Sequence, residues 1–115
     1  MYPILFTTPG LAEFAGDVDA ERGRQLAKFG DQKHPDGTGR PNLRFLATRY
    51  RDQADLLIES EAITWAAVLQ EEVYEALAET DPAKLRAELI QVAAVCAAWV
   101  SDLDRRGHAP DPAQQ

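Results

Sequence analysis

From Leu85 through Leu89, Val92, Cys96, Trp99 and Leu103, apolar residues return at alternating four- and three-residue steps. That period is the seam of a helix packed lengthwise against others. Asp81 and Pro82 open this helix, because proline is tolerated in a first turn. Upstream, Leu69, Val73, Ala76 and Leu77 form a stripe on a helix expected from Trp65 to about Ala78, with Thr64 as its N-cap. A further helix is expected from Leu43 to about Glu59, where Leu46, Tyr50, Ala54, Leu57 and Ile58 recur on one face and Arg44, Arg49, Arg51 and Asp52 fit the wet side. The weakest of the four runs from Asp17 to Phe29, with Asp17 as cap, Val18, Leu26 and Phe29 as a sparse apolar face, and Gly30 as its end.

Between and beyond these helices the chain changes character. GDQKHPDGTGRPN over residues 30–42 concentrates turn formers and reads as a loop inside one domain. Pro3, Pro9 and Gly10 mark residues 1–16 as an extended N-terminal arm, and the proline-rich segment from Gly107 reads as a frayed tail. The expected organisation is an arm over 1–16, an all-α domain over 17–106 and a flexible tail over 107–115. The expected architecture is a four-helix, bundle-like domain with helices three and four as an antiparallel pair. With 115 residues and a weak first helix, a second chain is expected to complete the core, making a homodimer or higher homo-oligomer.

Charge narrows the function. A formal net charge of -7 disfavours binding to nucleic-acid polymers, which requires lysine and arginine along the phosphate backbone. No run is long and apolar enough for a membrane span, and the apolar start has no basic lead of the kind a signal peptide carries. The single cysteine, Cys96, cannot form an intrachain disulfide, which points to a reducing, cytoplasmic setting. Cys96 itself reads as a packed thiol. A zinc site is not expected: His34 and His108 are the only histidines, and no zinc spacing is visible.

Helix three carries Glu71, Glu72, Glu75 and Glu79, with no Lys, Arg or His between Gln70 and Thr80. Like charges at these spacings cost roughly 0.2 to 0.5 kcal/mol per pair, and acids near a helix C-terminus oppose the macrodipole. Glu72 and Glu75 share a stripe that flanks the apolar face, and helix four returns with Glu88 and Gln91 at the same three-residue spacing. Two facing pairs of oxygen-bearing side chains then border one groove, a setting for a hard cation such as magnesium or manganese. A solvated acidic face is the plainer reading of the same residues.

The segment EEVYEALAETDPAKLRAELIQVAA, Glu71 to Ala94, resembles the metal-binding core of the MazG-like nucleoside triphosphate pyrophosphohydrolases, an all-α superfamily with the pattern EExxE, a spacer, then ExxD. Glu71, Glu72, Glu75 and Glu88 match it, whereas Gln91 stands where the family usually has Asp. The flanking LAKFGDQKHPDGTG and TWAAVLQEE are similar to a subgroup of that family. The resemblance implies a magnesium-dependent hydrolysis of a nucleoside triphosphate to monophosphate and pyrophosphate. It also implies Glu72, Glu75 and Glu88 as metal ligands and Glu71 as the group that orients or deprotonates the attacking water. Gln91 can ligate through its amide oxygen but adds no charge. Lys28, Lys33, His34 and Arg40 are candidate phosphate contacts, and Gly37 and Gly39 would let backbone amides approach. Trp65 is placed at the rim of the core, and Trp99 in its packing. Two other readings stand beside the enzyme: a non-catalytic helical module that binds a nucleotide or a protein, and a structural interaction domain whose acids only solubilise it.

Overall fold

In the computed structural model, residues 6–107 are described, and they form four helices without a strand. They are α1 (Leu11–Phe29), α2 (Pro41–Glu59), α3 (Trp65–Ala78) and α4 (Pro82–Arg105). The all-α class is therefore as the periodicity predicts. The described residues divide into two compact units. One holds α1 and the part of α4 from Ala97 onward, and the other is Pro35–Cys96. The boundary falls inside α4, which continues across it as one helix.

Within Pro35–Cys96, α2 packs on α3, and α4 turns back antiparallel beside α3 as in a helical bundle. Local chemistry sets the ends. Pro41 occupies the first turn of α2, where its missing N–H removes no helical bond. Thr64 caps α3 as expected, its hydroxyl accepting from the Ala67 amide at 3.1 Å. Asp81 caps α4 through its carboxylate on the Lys84 amide at 3.0 Å. In the turn between, Glu79 Oε1 accepts from the amides of Thr80 and Asp81, both at 3.1 Å, so this acid belongs to the turn.

The buried residues of this unit are small. Ala47 and Ala54 on α2, two turns apart, and Ala67 and Ala76 on α3 are the buried hydrophobic residues. Alanine at a helix crossing lets the axes approach toward the short end of the usual 8–10 Å range. Tyr50 and Tyr74 stack beside them, centroids 4.8 Å apart and planes 14° from parallel. The α4 seam is mostly half-buried, but Leu89 is 53% exposed and Ile90 57%. On α2, Phe45, Leu56 and Ile58 are each more than half exposed, so Ile58 does not join the predicted inner face.

The loop before α2 is tied down at its end. The Gly39 amide donates to the Leu77 carbonyl at 2.8 Å, at φ 80, and a Cβ there would collide with the Thr80 side chain. This bond takes the Gly39 amide that the sequence assigns to approaching phosphates.

The first helix corrects the expectation. It begins at Leu11, not Asp17, so residues 11–16 are helical and Asp17 lies inside α1. Pro9 and Gly10 form the entry turn, with Gly10 at φ 82 and the Leu11 amide bonded to Thr8 O at 3.1 Å. Breakers beside an element start it as readily as they prevent it. Leu11, Phe14, Ala15 and Val18 carry the helical period that Gly16 interrupts only in composition. Gly10 also passes close to Ser101 in the same unit, where a Cβ would lie 2.7 Å from Oγ. Gly30 ends the helix as expected, its amide on Leu26 O at 2.9 Å. Residues 1–5 of the arm and 108–115 of the tail lie outside the described residues.

Ala54 is fully buried at 0% exposure. Ala54→Leu is expected to cost about 1–3 kcal/mol by overpacking, measured by urea unfolding. An unchanged midpoint would show that α2 and α3 are not in close contact there.

Candidate metal centre

Three carboxylates converge in the Pro35–Cys96 unit. Glu72 and Glu75 come from successive turns of α3 and Glu88 from α4, and one oxygen from each lies within 4.8 Å of the others. Oxygens facing each other across an octahedral magnesium are about 4.2 Å apart, and across calcium about 5 Å. Small side-chain shifts therefore suffice to close the three on one hard cation.

Their surroundings make the gathering costly without one. Glu72 Oε2 and Glu88 Oε2 are shielded from solvent and have no hydrogen-bond partner among the described residues. Both residues are half-buried as a whole, so the shielding belongs to those oxygens in particular. A buried acceptor left unmade costs about 1–3 kcal/mol, and more when charged. Burial first, then the charges of Glu75, Glu71 and Glu88, pushes the Glu72 carboxyl above the ordinary glutamate range. Burial, Glu75 and Glu79 push Glu88 the same way, with Arg51 opposing. The donor set, three carboxylates with two orphaned oxygens, fits a divalent oxygen-seeking ion.

Glu71 is not one of the three. It is raised by burial, then by Glu75 and by Asp55, while Arg51 pulls it down, so it faces α2 charges that the sequence reading left out. Gln91, one turn beyond Glu88 on α4, is exposed.

The second correction concerns Glu75. The sequence has no cation near it on α3, but Arg51 on α2 donates from Nε to Glu75 Oε1 at 3.2 Å. Arg51 was expected on the wet side of α2, and its side chain is indeed 50% exposed, yet its head reaches the acid. A trace of this was present in the spacing. Arg51 and Asp55 are four apart on α2, Glu71 and Glu75 four apart on α3, and antiparallel packing sets Arg51 against Glu75 and Asp55 toward Glu71.

The candidate phosphate contacts are all exposed. Lys28 lies over the Phe29 ring at 5.2 Å, Lys33 pairs with Asp31 at 4.0 Å, and these two with His34 belong to the unit of α1. Arg40 is in the same unit as the carboxylates, at the N-cap of α2. Trp65 is half-buried and lines an apolar recess with Ile63, Thr64 and Val68, in line with a place at the core rim. No described helix is long and apolar enough to cross a membrane.

Comparison with protein-family models, with curated proteins and with solved structures found no match.

The raised carboxyls carry a sign. A glutamate whose folded value lies above its unfolded one adds stability below the unfolded value, and that contribution is lost as pH climbs through the folded value. Metal-free protein should therefore lose stability from these groups as pH rises above the ordinary glutamate range. Glu88→Gln removes one of them, so its gain in melting temperature over wild type should be larger at neutral pH than in acid. An equal effect at both pH values would contradict the raised carboxyl.

Proposed function

We propose that the chain is a magnesium-dependent nucleotide pyrophosphohydrolase, with manganese as an accepted substitute, that cleaves a nucleoside triphosphate to monophosphate and pyrophosphate. The observation that carries this reading is the convergence of Glu72, Glu75 and Glu88 with two of their oxygens shielded and unpartnered. The resemblance of Glu71 to Ala94 to the MazG-like pattern supplies the reaction.

In this reading Glu72, Glu75 and Glu88 hold the ion, and Gln91, exposed one turn beyond Glu88 on α4, could add only a neutral amide oxygen. The ion supplies charge neutralisation at the phosphates and acidifies a bound water. Glu71 accepts a proton from the attacking water or orients it. Its raised carboxyl, held up by burial and by Glu75, brings its proton affinity closer to neutral pH, where a general base works best. Of the candidate phosphate contacts, Arg40, exposed at the N-cap of α2, is the one in the same unit as the acids. Positioning and charge neutralisation are the main demands of phosphoryl-type transfer, and no further nucleophile is required.

The active form in this proposal is a homodimer or larger homo-oligomer in the cytoplasm. Its support is a core whose buried residues are alanines, beside Phe45, Leu56, Ile58, Leu89 and Ile90 at more than half exposure. Light scattering on the eluting protein should give a mass of at least two chains. A monomer at micromolar concentration would remove the oligomer from the proposal.

The neutral, exposed Gln91 favours a second reading, a helical module that binds nucleotide or protein without turnover. A panel of nucleoside triphosphates with magnesium separates the two. Pyrophosphate release is expected from wild type and is expected to vanish in Glu75→Gln, with the helical circular dichroism retained. Turnover that survives this substitution rules out Glu75 as a ligand.

Metal alone provides a further check, because an ion bound only to the native state raises stability by mass action. Magnesium or manganese at about a hundred times the dissociation constant should stabilise wild type by about 2.7 kcal/mol. Glu72→Gln should lose most of that shift. No shift with either ion would leave only a structural role for the acids.

A further inference from the structure

Arg51 enters the carboxylate cluster from α2, outside both helices that carry the acids. Its Nε donates to Glu75 Oε1 at 3.2 Å, and half of its side chain stays in solvent. Glu75 is one of the three carboxylates that meet within 4.8 Å. A divalent ion taken up by the three and the Arg51 guanidinium therefore draw on the same acid.

The competition is one of charge. A guanidinium stays protonated at every accessible pH, so it cannot leave Glu75 by losing its proton. It can leave by moving, since a partly exposed ion pair is weak and a long side chain has other rotamers. Once released, it presents five N–H donors in a planar fork, the geometry that matches phosphate oxygens in pairs. It would do so beside Glu71 and Glu88, where a protein with net charge -7 otherwise repels a polyanion.

Resting on the metal reading above, we propose that Arg51 is an exchangeable counter-cation. It holds Glu75 while the cluster is metal-free, yields it to the ion, and then binds the diphosphate portion of the substrate. The apo state is thereby kept from collapsing under its own charge, and metal loading is coupled to the appearance of a phosphate-binding group.

The test is manganese binding to the metal-free full-length protein by calorimetry at fixed ionic strength, followed by binding of inorganic pyrophosphate to the manganese-loaded form. For Arg51→Met, manganese affinity should rise about threefold or more, because the competitor for Glu75 is gone. Pyrophosphate affinity should fall about tenfold, because one charge-assisted fork is lost. Arg51→Lys keeps the charge and the stem, so its manganese affinity should stay near that of wild type while pyrophosphate binding weakens. This second variant carries the test should the first lose its helical circular dichroism. Manganese affinity that is unchanged or weaker in Arg51→Met, with wild type binding the ion, overturns the competition but leaves the metal reading standing. Pyrophosphate affinity unchanged in both variants overturns the phosphate role. Wild type that binds no manganese overturns the metal reading and this proposal with it.

Discussion

Mutual repulsion among Glu71, Glu72, Glu75 and Glu88 is the constraint around which the Pro35–Cys96 unit is arranged. Burial and neighbouring charge raise the carboxyls of Glu71, Glu72 and Glu88, and two oxygens lie shielded with no partner among the described residues. Such an arrangement is unfavourable by itself, so the rest of the unit has to hold it in place. Alanines at Ala47, Ala54, Ala67 and Ala76 allow α2 and α3 to pack closely, the Tyr50–Tyr74 stack fixes their registry, and the Asp81 cap and Glu79 turn bring α4 back beside α3. None of these contacts is large, and together they place three carboxylates around one point.

That economy of large buried side chains has a functional side. A unit whose buried residues are alanines leaves its larger apolar groups near the surface, among them Phe45, Leu56, Leu89 and Ile90. In the same unit the carboxylates of α3 and α4 come within reach of one ion, and Arg51 crosses from α2 to Glu75.

Arg51 changes how the acidic helix is understood. Taken along α3 alone, the acids have no counter-charge within the helix, and this suggests a site for a cation. In three dimensions Glu75 already has one, while Glu72 and Glu88 keep their shielded oxygens bare. The cluster is therefore partly compensated, and the uncompensated part is what a hard divalent ion would satisfy.

The sequence by itself determined the four helices, the Thr64 cap, the Asp81–Pro82 start of α4, the Gly30 end and the identity of the acids that meet, because helical period and end signals are local and act within one or two turns. It misjudged the start of α1, where Pro9 and Gly10 suggested continued extension although Leu11, Phe14 and Val18 already kept the helical step. It could not supply Arg51, the shielding of single oxygens, or the use of the Gly39 amide on Leu77. Those were decided only by tertiary structure, since each depends on the register of one helix against another. Residues 24 positions apart in the chain meet at 3.2 Å only after α2 and α3 have packed.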